Sequence, residues 1–315
     1  MRYKILLIAT ILLGVTVIIL AQFSIPTLFD ADGYYHIRMA QFITQYGPRL
    51  NFHWARYSIL AEHFADKDFL YHLLIIPFTF LPNIILGAKI AAVIFTTGLY
   101  LVFFWILKRY AKRQLIVPFL VIFFLAPHFL AALSYPRPRI LVIALTLLFV
   151  HFLIKRNWRA LILVTVIYSL THITGPLLLF FALLFEAVRC IDEKKLETKT
   201  IFGVGAGVII GIFIHPNFPN NLFMFYLNAI LMPVYGLKWG LELGAELFPM
   251  STRDFALGYP FILAGVMVVL ALATSSGVKV RTQTKIWMAM AGFFFVLSFF
   301  SHYYIIHSYP FILIA

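Results

Sequence analysis

Apolar segments long enough to cross a bilayer recur along this chain, and no other feature constrains its fold as tightly. Residues 5–23 are the first such segment, and comparable runs follow to the end of the sequence. A helix of about 20 apolar residues spans about 30 Å of hydrocarbon. Inside lipid every backbone N–H and C=O has to be satisfied within its own segment, so the expected fold class is all-α and polytopic. Composition points the same way: 63% of the 315 residues are hydrophobic and 12% charged. A water-soluble domain of that composition would expose too much apolar surface. The expectation is one transmembrane domain over residues 1–315, with about nine or ten helices.

The charges set an expected topology. Arg2 and Lys4 precede an apolar run that is too long for a signal core and is closed by no small-residue cleavage site, so it reads as an uncleaved helix. The net charge of +13 raises the question of nucleic acid. The basic residues gather in short loops between apolar runs, which is the pattern of topology signals and anionic lipid headgroups, and no nucleic-acid partner is expected. The clusters at Arg2/Lys4, 108–113, 155–159, 189–199 and 279–285 fall on one side with spans at 5–23, 83–107, 114–132, 140–154, 159–171, 174–188, 201–215, 260–278 and 286–306. Two long loops, 24–82 and 216–259, then face outward. They carry Asp30, Asp32, Glu62, Asp66, Asp68, Glu242, Glu246 and Asp254, eight of the twelve acids. An integral, multi-pass protein of a prokaryotic inner or plasma membrane with an outward site is expected. The single cysteine, Cys190, excludes an intrachain disulfide. The final Tyr309-Pro310-Phe311-Ile312-Leu313-Ile314-Ala315 reads as the start of a further helix, with the chain expected to continue.

Chemistry-bearing residues concentrate in those outward loops. Asp30-Ala31-Asp32-Gly33-Tyr34-Tyr35-His36-Ile37-Arg38 follows directly on the first span. Asp32 there can take a proton or bind a divalent cation, and Arg38 can hold a phosphate. The same acids can equally cap a surface helix running to Tyr46. Within Glu62-His63-Phe64-Ala65-Asp66-Lys67-Asp68, the D-x-D spacing suits a metal that neutralises a leaving phosphate, or a solvated loop capping the helix from Phe69. Tyr135-Pro136-Arg137-Pro138-Arg139 places two arginines in an outward loop against the inside bias, which suits a lipid-linked phosphate as well as headgroup snorkelling. His172, in the turn Thr171-His172-Ile173-Thr174-Gly175-Pro176, is a candidate metal ligand, base or turn residue. Lys89 lies inside the second expected span.

Asp32-Gly33-Tyr34-Tyr35-His36-Ile37-Arg38 resembles the first-loop motif of the oligosaccharyltransferase catalytic subunit and its bacterial and archaeal relatives. That family belongs to the GT-C glycosyltransferases. The resemblance covers about ten residues, with an architectural likeness elsewhere: a long first external loop, many helices, then a later external loop. It implies a GT-C-like membrane glycosyltransferase, of a kind known from protein glycosylation. The sugar would come from a polyprenyl-phosphate or -pyrophosphate carrier and pass to a protein, glycan or lipid acceptor, with membrane lipids as surroundings. The implied catalytic acids are Asp32 and Asp68. The implied metal set, for Mg²⁺ or Mn²⁺, is Asp32, Asp66, Asp68 and His172. The implied donor-phosphate residues are Arg38, Arg137 and Arg139, with Asp30 and His36 as further candidates. The family's second acidic motif is replaced here by Ser134-Tyr135-Pro136-Arg137-Pro138-Arg139, and its W-W-D-Y-G acceptor motif is absent. Those departures favour sugar transfer from a lipid carrier over oligosaccharide transfer to asparagine. The alternatives are a non-catalytic lipid-binding or assembly subunit and a flippase for the polyprenyl-linked sugar.

Overall fold

The structure, a computed structural model, describes residues 2–52, 55–235, 238, 240, 244, 247–274 and 280–315. Glu242, Glu246 and Lys279, which the charge map uses, lie outside the described residues. All regular structure among the described residues is helical, in α-helices numbered α1 to α17 along the chain with short 3₁₀ and π turns between them. Two helices are long and apolar enough to cross a membrane: α1 (Arg2–Phe23) and α5 (Ile84–Tyr110). Two pairs reach that length only together. These are α6 (Arg113–Ile122) with α7 (Pro127–Leu133), bent by 78°, and α14 (Thr252–Gly258) with α15 (Pro260–Thr274), bent by 88°. Pro127 and Pro260 open the second helix of each pair. A proline cannot donate into the preceding turn, and it drives the residue before it out of helical conformation. The expected span at 114–132 is therefore corrected to a bent pair; the one at 260–278 is α15 as far as Thr274, and 275–278 lie outside the described residues.

Four further expected spans exist as helices: α8 (Arg139–Ile154), α9 (Trp158–Thr171), α10 (Leu177–Glu193) and α11 (Thr198–Phe213). At 14 to 17 residues each they reach about 21–26 Å at 1.5 Å per residue, short of about 30 Å of hydrocarbon. Among the described residues there are two to four candidate membrane spans, fewer than the nine the charge map expects.

The chain divides into two compact units. The first holds Met1–Pro26, Val93–Tyr135 and Leu243–Ala315. Here α1 buries the i, i+4 stripe Thr10, Gly14, Ile18 and Gln22, while Ile5, Leu6, Leu12, Leu13 and Leu20 are exposed. A side chain at Gly14 would stand 2.5 Å from the Tyr100 ring, so glycine is what admits that ring. Phe103, Phe123, Phe129 and Tyr309 form an edge-packed aromatic core. α16 (Thr282–Leu297) packs on α17 (Ile305–Ile314), which is buried along most of its length.

The second unit holds Thr27–Ala92 and Pro136–Glu242. Its tightest seam joins α9 and α11. Gly203, Gly207 and Gly211 recur every fourth residue on α11. A Cβ on them would stand 2.7 Å from the Trp158 carbonyl oxygen, 2.6 Å from Thr165 Cβ and 2.6 Å from Ser169 Cβ. This small-residue spacing lets two helix backbones approach closely. At the α10–α11 turn, Arg189 donates to the buried Glu186 at 2.8 Å, and the Glu197 backbone N–H donates to the same carboxylate at 3.0 Å. After α11 come α12 (Asn220–Phe225), a π turn (Tyr226–Leu231) and α13 (Met232–Tyr235). α2 (Ala31–Tyr46) turns Ile37, Met39, Ala40 and Ile43 inward. Met39 and Ile43 join Leu50, Phe64 and Phe69 in an apolar cluster. That cluster seats α2 beside α3 (Leu60–His63) and α4 (Phe69–Ile75), and the candidate site grows from this seating.

Candidate functional site

The first turn of α2 is built by Asp30. Its Oδ1 accepts the Gly33 N–H at 3.0 Å, an N-cap that satisfies one of the orphan donors of the helix start. At Gly33 a Cβ would lie 2.5 Å from Pro136 Cγ, so glycine lets α2 close against the segment carrying Arg137. The Arg137 guanidinium then reaches both acids. Its Nε donates to Asp30 Oδ2, and its Nη2 lies 3.1 Å from Asp32 Oδ2. Asp30 is 10% exposed and Asp32 53% exposed. The capping role belongs to Asp30, and Arg137 is shared by both acids. Asp32 is left as a carboxylate that is held in place and open to a ligand.

Behind this turn runs a buried chain of three side chains. Asp66 accepts from His72 Nδ1 at 2.7 Å, and His72 Nε2 lies 2.8 Å from His36 Nδ1. Because His72 donates from Nδ1, its Nε2 is the acceptor, and His36 donates from its own Nδ1. All three are buried. Burial, with His72 as the next contribution, holds His36 well below the usual histidine range, so the ring is neutral. The chain ties α2 to the 66–68 turn. A loop from the far end of the unit clamps that turn: His215 Nε2 donates to the Asp66 carbonyl at 3.0 Å while its Nδ1 accepts the Asn217 N–H, and Asn217 donates to the Leu50 carbonyl at 3.2 Å.

Asp68 sits next to this turn with a different character. Its backbone N–H donates to Asp66 Oδ1 at 3.1 Å, but its own Oδ1 is buried and accepts no hydrogen bond. Burial pushes its carboxyl up to about 6, against the opposing pull of Lys67 and His72. His172 Nε2 lies 3.9 Å from that oxygen. His172 ends α9, where its Nδ1 lies 2.8 Å from Thr174 Oγ1 and 3.3 Å from the Thr174 backbone nitrogen. Burial, then Lys67 and Arg139, lower His172 to about 3, so it too is neutral. An open cleft beside the 66–67 turn is lined by Asp66, Lys67, His215 and Asn221 on its polar side and by Ile173, Pro176 and Phe225 among its apolar residues.

Several expected residues therefore lie in one unit: Asp30, Asp32, His36, Asp66, Asp68, Arg137, Arg139 and His172. Their expected roles change. The metal set of Asp32, Asp66, Asp68 and His172 does not fit an ion: Asp66 is bonded to His72 and Asp32 to Arg137. Among the described residues no three His, Cys, Asp or Glu side chains are arranged to hold a metal. Arg137, expected to bind a phosphate, is engaged by two carboxylates. Arg38 is exposed, donates to Gln41 at 2.7 Å and lies over the Phe42 ring, outside the Asp30–Arg137–Asp32 group. Arg139 is buried at the start of α8, and Lys89 is buried in α5. Sequence reasoning passed over His72, Lys67, His215 and Asn217 as site residues. His36 lies 36 residues from His72, and the Asp66 carbonyl 149 residues from His215, beyond any local pattern. A histidine just after a D-x-D run was the one available signal. Neither the scan of protein-family models nor the search of curated proteins finds a match to this chain.

Proposed function

We propose that the chain is a membrane glycosyltransferase of GT-C type that moves a sugar from a polyprenyl-phosphate or -pyrophosphate carrier to an acceptor at the outer face of the membrane. The observation that carries this reading is Asp32. It is a half-exposed carboxylate on the first turn of a helix that follows a membrane-length span, and an arginine anchored by a second acid holds it in place. Sugar transfer passes through a state with positive charge on the anomeric carbon, and a positioned carboxylate stabilises that charge. The cleft beside Asp66 and Lys67 supports the donor side. Its apolar wall of Ile173, Pro176, Ile212, Leu222 and Phe225 suits an isoprenoid chain, and Lys67 suits the phosphate. Asp68 is the second acid. As the four expected metal ligands do not converge, Asp32 and Asp68 work in this reading without a shared ion.

The test is transfer of radiolabelled sugar in proteoliposomes from a panel of polyprenyl-phosphate and -pyrophosphate donors, with wild type beside Asp32→Asn and with EDTA present or absent. The expected result is transfer by wild type, loss of about 10²–10⁴-fold in Asp32→Asn with the helical spectrum unchanged, and no effect of EDTA. Transfer at the wild-type rate by Asp32→Asn removes Asp32 from the chemistry. No transfer from any donor would shift the reading to a lipid-binding subunit.

A further inference from the structure

We infer that the end of the second unit where α8 meets α9 and α10 meets α11 is a docking surface for anionic phospholipid, with the outer faces of α10 and α11 lying against the acyl chains. The inference does not depend on the glycosyl-transfer reading. Five cations are exposed at this end: Lys155 and Arg159 at the first turn, and Lys194, Lys195 and Lys199 at the second. The two turns are neighbours, because Arg156 donates to Glu193 and the Trp158 carbonyl stands against Gly203 of α11. The acids nearby are mostly engaged. Glu186 is buried and accepts from Arg189 at 2.8 Å and from the Glu197 N–H at 3.0 Å, and Glu193 pairs with Arg156. Asp192 and Glu197 remain against the five cations, so the surface is net positive. Lys194 closes α10 at φ 53°, a left-handed conformation that glycine adopts without steric cost. A cation stands there instead.

Apolar exposure identifies the partner. Ile191 is 84% exposed and Leu196 59% exposed, one on each side of Lys194 and Lys195. Exposed Leu177, Phe180, Leu183 and Ala187 lead along α10 to Ile191 in steps of three and four residues, the spacing of one helix face. Phe202, Ile209 and Phe213 are exposed on α11. A nucleic acid or an acidic protein would meet the lysines and leave these apolar faces in water. A phospholipid meets both, with its phosphate at the lysines and its chains along the helices. Arg159 lies over the Trp158 ring, 5.4 Å from the centroid, and tryptophan favours the headgroup layer. A headgroup with net negative charge is selected over a zwitterionic one, whose choline or ethanolamine cation would face like charge.

Cys190, the single cysteine of the chain, is exposed in the last turn of α10 and serves as a reporter position beside the lysines. The full chain carries a fluorophore on Cys190 in phosphatidylcholine liposomes. Quenching is compared between nitroxide-labelled phosphatidylglycerol and nitroxide-labelled phosphatidylcholine at equal mole fraction. A second reporter on α11 is made by Ile209→Cys in a Cys190→Ser background. The expected result at Cys190 is an enrichment of phosphatidylglycerol of about fivefold at low salt, which falls towards parity at high salt. It is lost in the triple variant Lys194→Gln, Lys195→Gln, Lys199→Gln, whose helical spectrum is unchanged because all three side chains are exposed. The Ile209→Cys reporter should be quenched equally by both lipids. Equal quenching at Cys190, a preference that survives the three substitutions, or the same preference at both reporters would each overturn the inference. Absence of quenching at both reporters would remove α10 and α11 from the bilayer and overturn it as well. No sugar donor is present, so these outcomes leave the glycosyl-transfer reading to its own test.

Discussion

At the scale of single residues, the Asp66–His72–His36 chain makes the clearest energetic prediction. Replacing His72 by Phe removes the hydrogen bond that the buried Asp66 carboxyl accepts from Nδ1, leaving it the Asp68 N–H, and should cost about 1.5–3 kcal/mol. Replacing His36 by Phe removes one neutral hydrogen bond and should cost about 1–3 kcal/mol. Chemical unfolding in detergent measures both; equal midpoints for wild type and His72→Phe would show that the chain carries no stability. That an acid at the start of α2 caps it was legible, because capping acts within one turn. That Asp30 is the cap and also holds Arg137, more than 100 residues away, was not, since local spacing carries no information on that. The same holds for Asp68, whose unpartnered oxygen is a property of burial. The D-x-D spacing that drew attention to it pointed to a metal that the observed side chains do not hold.

At the scale of elements, helix positions were the most readable feature, since long apolar runs between charged loops mark them directly. The expected 159–171 compares with Trp158–Thr171, and 201–215 with Thr198–Phe213. Breaks were less readable. Hydropathy passes smoothly over Pro127, although a proline in that position ends a helix. In loop 24–82 a surface helix capped by one of the acids and running to Tyr46 was one of two readings, and α2, which begins at Ala31 with Asp30 as its cap, is that helix. The α9–α11 seam offers a test at this scale. Gly207→Leu places a side chain where even a Cβ would be 2.6 Å from Thr165 and should force the helices apart, costing about 1–3 kcal/mol or more. Gly205, with open space at its Cβ, is the control on the same helix. Gly205→Ala should melt within a degree or two of wild type, and a Gly207→Leu variant that does the same would refute close helix contact.

For the molecule as a whole, buried histidines set the response to acid. His36, His172 and His215 are each held below the ordinary value of 6.5 by burial, so below about pH 6.5 the unfolded chain binds three protons that the folded one does not. Asp68, raised to about 6, works in the opposite direction: between about pH 6 and 4 the folded chain holds one proton that the unfolded chain releases. Three histidines outweigh one aspartate, so stability should fall as pH drops from 7 to 5, and a melting temperature that rises over that interval would contradict this balance. α1 and α5 are long and apolar enough to cross a membrane, and α1 exposes apolar residues along its length. The central claim, that Asp32 acts on substrate while Asp30 builds the helix start, is tested most directly by single-turnover sugar transfer in Asp32→Asn and Asp30→Asn side by side. Asparagine is itself a good N-cap, so the account predicts a loss of about 10²-fold or more for Asp32→Asn and a far smaller one for Asp30→Asn. Equal losses, or a larger loss in Asp30→Asn, would contradict it.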